Sequence, residues 1–421
     1  MSSGRSVPSN PQPASAADST YAWARLSFAL ALMTIGGAGM YSMAVALPPL
    51  QAEFAIARGD ASLPFTLTMI GFGVGGILMG RLSDRFGVIV PVMIGSVSLA
   101  LGFVAAGFSQ NLLQFTAIHG LLIGVGTSGT FVPLVADITL WFTRRRGIAV
   151  AIVMSGNYLA GTVWPPLMQH FIDTAGWRAT YIGTGAFCLV AMPLLALALR
   201  RKPPAIAELA PAAGARHAAS DPERPLGLAP NQLQWLLCVS GVACCVAMSM
   251  PQVHMVAYCA DLGFPAARGA EMLSLMMAFG IVSRLVSGWI ADYIGGLGTL
   301  LLGAVLQATA LALFLPFDGL VSLYVVSALF GLFQGGIVPS YPLIVRQYFS
   351  PREAGARTGT VIMATLAGMA IGGWMPGWIF DVTGSYRAAF VNGIAWSLVT
   401  TAIALVLIAR ARRGPLAPQA A

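Results

Sequence analysis

Apolar runs as long as a bilayer is thick recur twelve times along this chain, and that recurrence leaves few ways for it to fold. They lie at 23–50, 62–82, 89–108, 111–142, 147–172 and 178–199 and, after a break, at 231–259, 270–291, 297–316, 320–347, 357–380 and 387–409. A helix rises about 1.5 Å per residue, so about 20 apolar residues cross the roughly 30 Å hydrocarbon core. Within that core each backbone N–H and C=O must be paired inside the protein, which a helix does by itself. The composition agrees: 57% of residues are hydrophobic and 9% charged, and the mean hydropathy is +0.78, outside the range of soluble globular domains. The expectation is an all-α membrane protein whose twelve transmembrane helices form two pseudo-symmetric six-helix bundles.

The long interruption RRKPPAIAELAPAAGARHAASDPERPLGLAPNQ is polar and rich in Pro and Ala, as a linker between halves would be. The expected organisation is a disordered cytoplasmic tail over 1–22, a bundle over 23–199, a cytoplasmic linker over 200–230, a second bundle over 231–411 and a tail over 412–421. The opening MSSGRSVPSNPQPASAADST lacks the short apolar core of a signal peptide. The net charge of +8 is spread over loops rather than gathered in a patch, so no nucleic-acid partner is expected. Topology accounts for it, because cytoplasmic loops are enriched in Lys and Arg. With both termini inside, the outer loops hold only Arg58, Arg178, Arg268 and Arg387. A multi-pass protein of the cytoplasmic membrane follows, and a monomer is expected. Its five cysteines sit in apolar runs without metal-ligand spacing, and neither a disulfide, a metal nor a cofactor is expected.

The halves repeat. GRLSDRFG begins at Gly80 and GWIADYIGG at Gly288, an offset of 208; FIDTAGWRAT and IFDVTGSYRAA carry Asp173 and Asp381 at the same offset. Two different segments sharing one offset indicate duplication. Transporters built from paired repeats place the substrate near the midplane between them.

Between Met272 and Ile290 the single ionisable residue is Arg284, on the order of 10 Å from the helix end marked by Asp292. A charge at that depth is costly and normally faces a water-filled cavity; the alternative is an arginine held by backbone carbonyls or reaching to the interface. His254 and His119 are the intramembrane groups able to titrate near neutral pH, and each can equally be a hydrogen-bonded packing residue. Tyr41, Asn157, Tyr158, Gln334 and Tyr341 stand where they can line a cavity or satisfy neighbouring helices. Asp137, near Arg144 to Arg146, is either an ion-pair partner or a proton acceptor. GFGVGG from Gly71 to Gly76 follows no strand and suits close helix packing better than a nucleotide loop. No nucleophile and base are paired, and no enzyme is expected.

GRLSDRFG resembles the signature loop between helices two and three of the major facilitator superfamily, with a degenerate copy in the second half, and the resemblance covers Trp23 to Arg410. WFTRRRGIAVAIVMSGNYLAGTVWPPLMQHFIDTAGWRATYIGTG and PQVHMVAYCADLGF, with the arginine-bearing eighth span, resemble the monocarboxylate transporter branch and its bacterial relatives, including oxalate/formate exchangers. The resemblance implies that Arg284, in SRLVSG, binds the substrate carboxylate, for which a planar fork that never deprotonates is well suited. It implies a carboxylate and a proton as cargo, rocking of the halves about a midplane site, and a gate built from Gly80, Arg81, Asp84, Arg85, Gly87, Gly288 and Asp292. In that gate Asp137 would latch to Arg81 or Arg85 when the cytoplasmic side closes. The chain departs from the branch at Gly280, where a carboxylate often precedes the arginine, in the uncharged first-span YSMAVALPPL, and in an eleventh span without the lysine of oxalate exchangers. One positive charge fits one carboxylate. Rival readings are an organic anion exchanger or drug exporter of the same fold, and a non-transporting receptor.

Overall fold

The computed structural model describes residues 18–201 and 225–413; most of both expected tails and of the expected linker lies outside them. Among the described residues ten helices are long and apolar enough to cross a membrane. Two of these are double, because Gly176 (φ 81°, ψ 161°) and Gly295 (φ 73°, ψ 173°) break the helical path inside them. The twelve expected spans are therefore α1 (Thr20–Phe54), α2 (Arg58–Phe86), α3 (Ile89–Gly107), α4 (Leu112–Trp141), α5 and α6 (146–175 and 177–197), α7 (Pro230–Asp261), α8 and α9 (266–294 and 296–313), α10 (Leu320–Tyr348), α11 (Pro351–Thr383) and α12 (Tyr386–Arg413). Several outrun the apolar runs at their ends. Hydropathy stops at the first charge, such as Glu53 or Arg58, whereas the hydrogen-bond ladder continues through it.

The duplication is written into the backbone. Gly87 and Gly295, Gly176 and Gly384, and Ala55 and Gly263 all have positive φ, and each pair is 208 residues apart. An L side chain is disfavoured there, so glycine holds most of these turns. Close helix contacts repeat as well: a Cβ on Gly124 would lie 2.5 Å from the Thr68 carbonyl, and one on Gly331 would lie 2.0 Å from the Met276 carbonyl. Small residues thus let α2 touch α4 and α8 touch α10. The register slips once. Asn111 and Gly319, the caps that open α4 and α10, are 208 apart, but the extended residues that close them, Phe142 and Phe349, are 207 apart. The extra residue is taken up by the π-helical turn His119–Gly124 within α4.

The halves meet along α2 against α11, α5 against α8, and the second part of α1 against α7. Just before α1, the Asp18 carboxylate accepts from the Thr143 hydroxyl at 2.7 Å and from the N–H groups of Thr143 and Arg144, tying the chain start to the loop before α5. Burial would raise this carboxyl, but those hydrogen bonds outweigh it and hold it below its ordinary value. The tie is thus full above that value and lost as pH falls through the lowered one.

Candidate functional site

One end of the bundle carries Arg81, Arg85, Arg144 to Arg146, Arg346 and Arg410 to Arg412, and is called the basic end below. At the opposite end the halves are joined. Arg58 of α2 is paired with Asp261 of α7, and Asp381 of α11 accepts from the N–H groups of Arg58 and Gly59. Moving inward along α2 and α11, Phe65 packs on Gly373, Thr66 donates to the Ala370 carbonyl at 2.9 Å, and Gly73 meets Met363. Along α5 and α8, Ser274 donates to the Thr162 carbonyl, Gly161 meets Met277, and Gly280 meets Tyr158. The last contact of this seam is Arg284 Nη1 on the Met154 carbonyl, at 3.5 Å. One or two turns further toward the basic end, on the same helix faces, Gly147, Gly288, Gly355 and Gly359 have nothing within 4 Å of an added Cβ. The halves therefore part below Arg284, and a cleft between them opens at the basic end.

Arg284 stands at the roof of this cleft. Its guanidinium lies over the Tyr158 ring, 4.5 Å from the centroid, a cation on the negative face of an aromatic. Its Nε is buried without an acceptor, and among the described residues it takes part in no ion pair. A carbonyl at 3.5 Å is at the limit of a hydrogen bond, so most of its five donors are unused. Tyr41 is buried and within electrostatic reach of both Tyr158 and Arg284, and its ring packs on Gly161. Arg284, Tyr158 and Tyr41 thus converge from α8, α5 and α1. Asn157, beside Tyr158 on α5, is half-buried.

Gly280, one turn before the arginine, explains the missing carboxylate. A Cβ there would lie 2.4 Å from Cε1 of Tyr158, so the Tyr158 ring fills the space that a side chain at 280 would need. Gly280→Asp should push Tyr158 aside and give Arg284 an internal counter-ion. Its affinity for an anionic ligand is expected to fall roughly 30-fold or more, read by ligand-induced stabilisation of the purified protein; an unchanged affinity would show that Tyr158 does not shape the arginine site.

The other candidates are distributed elsewhere. Gln334 is buried on α10, accepting from Gln252 Nε2 at 3.3 Å while its own Nε2 has no partner. Gln252, directly after Pro251, is a polar group in the second half that sequence reading passed over. Tyr341 does not line the cleft: it is wholly buried within the second half, against the Ser240 hydroxyl at 3.0 Å and Cys244 Sγ at 3.4 Å. The turn at Gly335 sets the face that α10 presents beyond it, and that could not be read from the apolar pattern.

His254 is buried with both ring nitrogens engaged. The Gly373 carbonyl can only accept, so Nε2 carries the proton at 2.8 Å and Nδ1 accepts from the Tyr386 hydroxyl at 2.9 Å. His119 opens the π-helical turn, among the rings of Phe115 and Tyr181. Thr68 donates to the Pro64 carbonyl and so accepts from Nδ1 of His119, leaving Nε2 without a partner inside the first half.

Asp137 is paired with neither Arg81 nor Arg85. Its carboxylate takes the fork of Arg25 from α1, at 2.7 and 2.8 Å, with both residues buried. Arg25 also donates to the carbonyls of Leu199 and Arg201 at the end of α6. Arg81, Asp84, Arg85, Gly87, Gly288 and Asp292 are exposed at the rim of the basic end. A buried carboxylate takes the cation that can reach it inside the bundle, and Arg25 does so from the neighbouring helix.

The Major Facilitator Superfamily model matches residues 27–323 and 299–421. The chain is 27% identical over 357 residues to Monocarboxylate transporter 13 of Rattus norvegicus, covering 82% of this chain and 78% of that protein. It is 28% identical over 403 residues to Monocarboxylate transporter 11 of Homo sapiens, covering 90% and 82%. Its fold is similar to the crystal structure of a bacterial homolog of the human lysosomal transporter Spinster, with a TM-score of 0.71 at 13% identity over 95% of this chain and all of that one. The chain belongs to the Major Facilitator Superfamily and, within it, is similar to the monocarboxylate transporters; it is a transporter and not an enzyme.

Proposed function

We propose that this transporter carries a small monocarboxylate across the cytoplasmic membrane by alternating access, with a proton moving alongside. The observation that carries the reading is Arg284: a guanidinium at the roof of the interhalf cleft, seated on Tyr158, with a buried Nε that has no acceptor and no carboxylate paired to it. A single cation with a free fork suits one carboxylate. Tyr41, Tyr158, Asn157 and Gln334 would complete the pocket from both halves, so that a bound anion bridges them. The names of the relatives point the same way. The enrichment of the basic end in arginine makes it the cytoplasmic end, and the cleft described here would be the cytoplasm-facing state.

For the proton, His254 is the candidate the arrangement favours. It is hydrogen-bonded to Tyr386, whose ring centroid lies 5.5 Å from the Arg58 guanidinium, so a change of charge on the imidazole would be felt where the halves are joined. Counterflow in proteoliposomes against a panel of short carboxylates tests the cargo: the acids should exchange, and their methyl esters and amides should neither exchange nor compete. In the same vesicles His254→Gln should lose acceleration by an imposed pH gradient while keeping substrate-for-substrate exchange. Equal counterflow with the esters would remove the carboxylate reading, and a full gradient response in His254→Gln would remove the histidine from coupling.

A further inference from the structure

The closed end of the cleft is fastened in an unequal way along its two seams. The first turn of α2 has no cap of its own, since Ala57 at the N-cap offers no side-chain acceptor, and the four leading N–H groups of a helix need partners from elsewhere. The opposite half supplies one. Asp381, near the end of α11, accepts from Arg58 N–H at 2.9 Å with one oxygen and from Gly59 N–H at 2.7 Å with the other, an anion on the positive end of a helix. This is possible because two glycines let the backbones touch: a Cβ on Gly377 would lie 2.9 Å from the Arg58 carbonyl oxygen, and one on Gly59 would lie 3.2 Å from the Trp378 nitrogen. The Arg58 side chain then crosses to α7, where its fork engages both oxygens of Asp261, and its guanidinium lies 4.0 Å from the centroid of Phe380.

The repeat predicts a second such clasp, between Asp173 at the end of α5 and the start of α8. It is not there: Asp173 accepts from Gln169 Nε2 of its own helix at 2.8 Å, and among the described residues no ion pair joins α5 to α8.

We propose that Asp381, acting with Arg58 and Asp261, is a latch that holds the end opposite the basic end closed on the α2–α11 seam, leaving the α5–α8 seam, where Arg284 and Tyr158 stand, to be governed by cargo. The three are positioning residues, remote from the cargo site. Opening that end takes Asp381 off the start of α2 and separates the Arg58 guanidinium from the Asp261 carboxylate, so the latch sets the balance between the two access states whether or not cargo is bound. The latch rests on the alternating-access reading, but its test needs no substrate, so a wrong cargo and a wrong latch give different results.

Thr66, half-buried on α2 just inside the latch and bonded across the seam to Ala370, provides the reporter. Four native cysteines are buried, and Cys238, half-buried, lies on α7 toward the basic end. A membrane-impermeant maleimide applied from the Arg58 side should label Thr66→Cys slowly in the parent protein. Adding Asp381→Asn removes the charge and one acceptor, and labelling should accelerate roughly ten- to a hundred-fold. Asp381→Glu should restore part of the slow rate, and Asp173→Asn, the repeat-related carboxylate, should leave it within about two-fold. Should Asp381→Asn not reach the membrane, Asp261→Asn and Arg58→Gln break the same latch, and both should accelerate labelling. An unchanged rate in the latch variants, or an equal acceleration by Asp173→Asn, would overturn the proposal.

Discussion

Arg284→Gln, folded and inserted, should lose the cargo carboxylate altogether within the measurable range. Removing one partner of a buried, charge-assisted pair typically costs about 2 to 5 kcal/mol, roughly 30-fold to several thousand-fold in affinity. Arg284→Lys keeps the charge but replaces a planar fork by a point charge that cannot lie flat on Tyr158, and it should bind weakly. Two outcomes separate the readings of this residue. If Arg284→Gln binds the acid with near-normal affinity in a direct assay such as calorimetry, the guanidinium is structural. If Arg284→Gln instead unfolds while Arg284→Lys folds and binds normally, its role is to fill charge and volume beside Met154. The geometry favours a cargo-binding role over either structural one, because the Met154 carbonyl at 3.5 Å and the Tyr158 face leave its Nε and most of its donors unused.

Asp137→Asn or Arg25→Leu alone should be strongly destabilising, by about 3 to 5 kcal/mol, because each leaves one charge buried without its partner. Arg25 and Asp137 are 1% and 5% exposed, and their fork is bidentate. The second half shows what the site can do without charges. By the 208-residue register of α1 on α7, Arg25 corresponds to Leu233, and by the 207-residue register at the end of α4 on α10, Asp137 corresponds to Ile344; both are buried apolar residues of one cluster. The double variant Arg25→Leu with Asp137→Ile should therefore regain most of the thermal stability that either single change loses, since a buried ion pair can be replaced by apolar groups of similar volume at little net cost. Thermal unfolding in detergent measures all three. A double variant no more stable than the worse single one would show that Arg25 matters through the carbonyls of Leu199 and Arg201 rather than through Asp137.

The spans, the two halves and the isolation of Arg284 were legible because each rests on local chemistry. A run of apolar residues is a transfer free energy summed along the chain, and a lone arginine inside it is visible as an exception. The 208-residue repeat was legible at Gly80, Gly288, Asp173 and Asp381, and the structure extends it to glycines whose positive φ no composition reveals. The branch resemblance was carried by short motifs around Arg284; the superfamily resemblance sets Asp137 against Arg81 or Arg85 when the cytoplasmic side closes, and with the basic end open Asp137 is held by Arg25. A motif specifies that a buried carboxylate needs a cation, yet it does not say which of several arginines will be near. Arg25 lies 112 residues from Asp137 in sequence and reads as an ordinary interfacial arginine until α1 is packed beside α4.

The sequence by itself therefore determined the number of spans, their pairing into halves and the place of Arg284 within its span, all properties of one helix or of one half compared with the other. Tertiary structure decided which polar groups meet: Asp137 with Arg25, Asp381 with the start of α2, Tyr158 in the space left by Gly280, and Tyr341 turned into the second half rather than toward the cleft. Hydropathy is additive along the chain, but ion pairs and caps are pairwise and act over a few ångströms, so they are fixed only once helices far apart in sequence have chosen their neighbours and rotations.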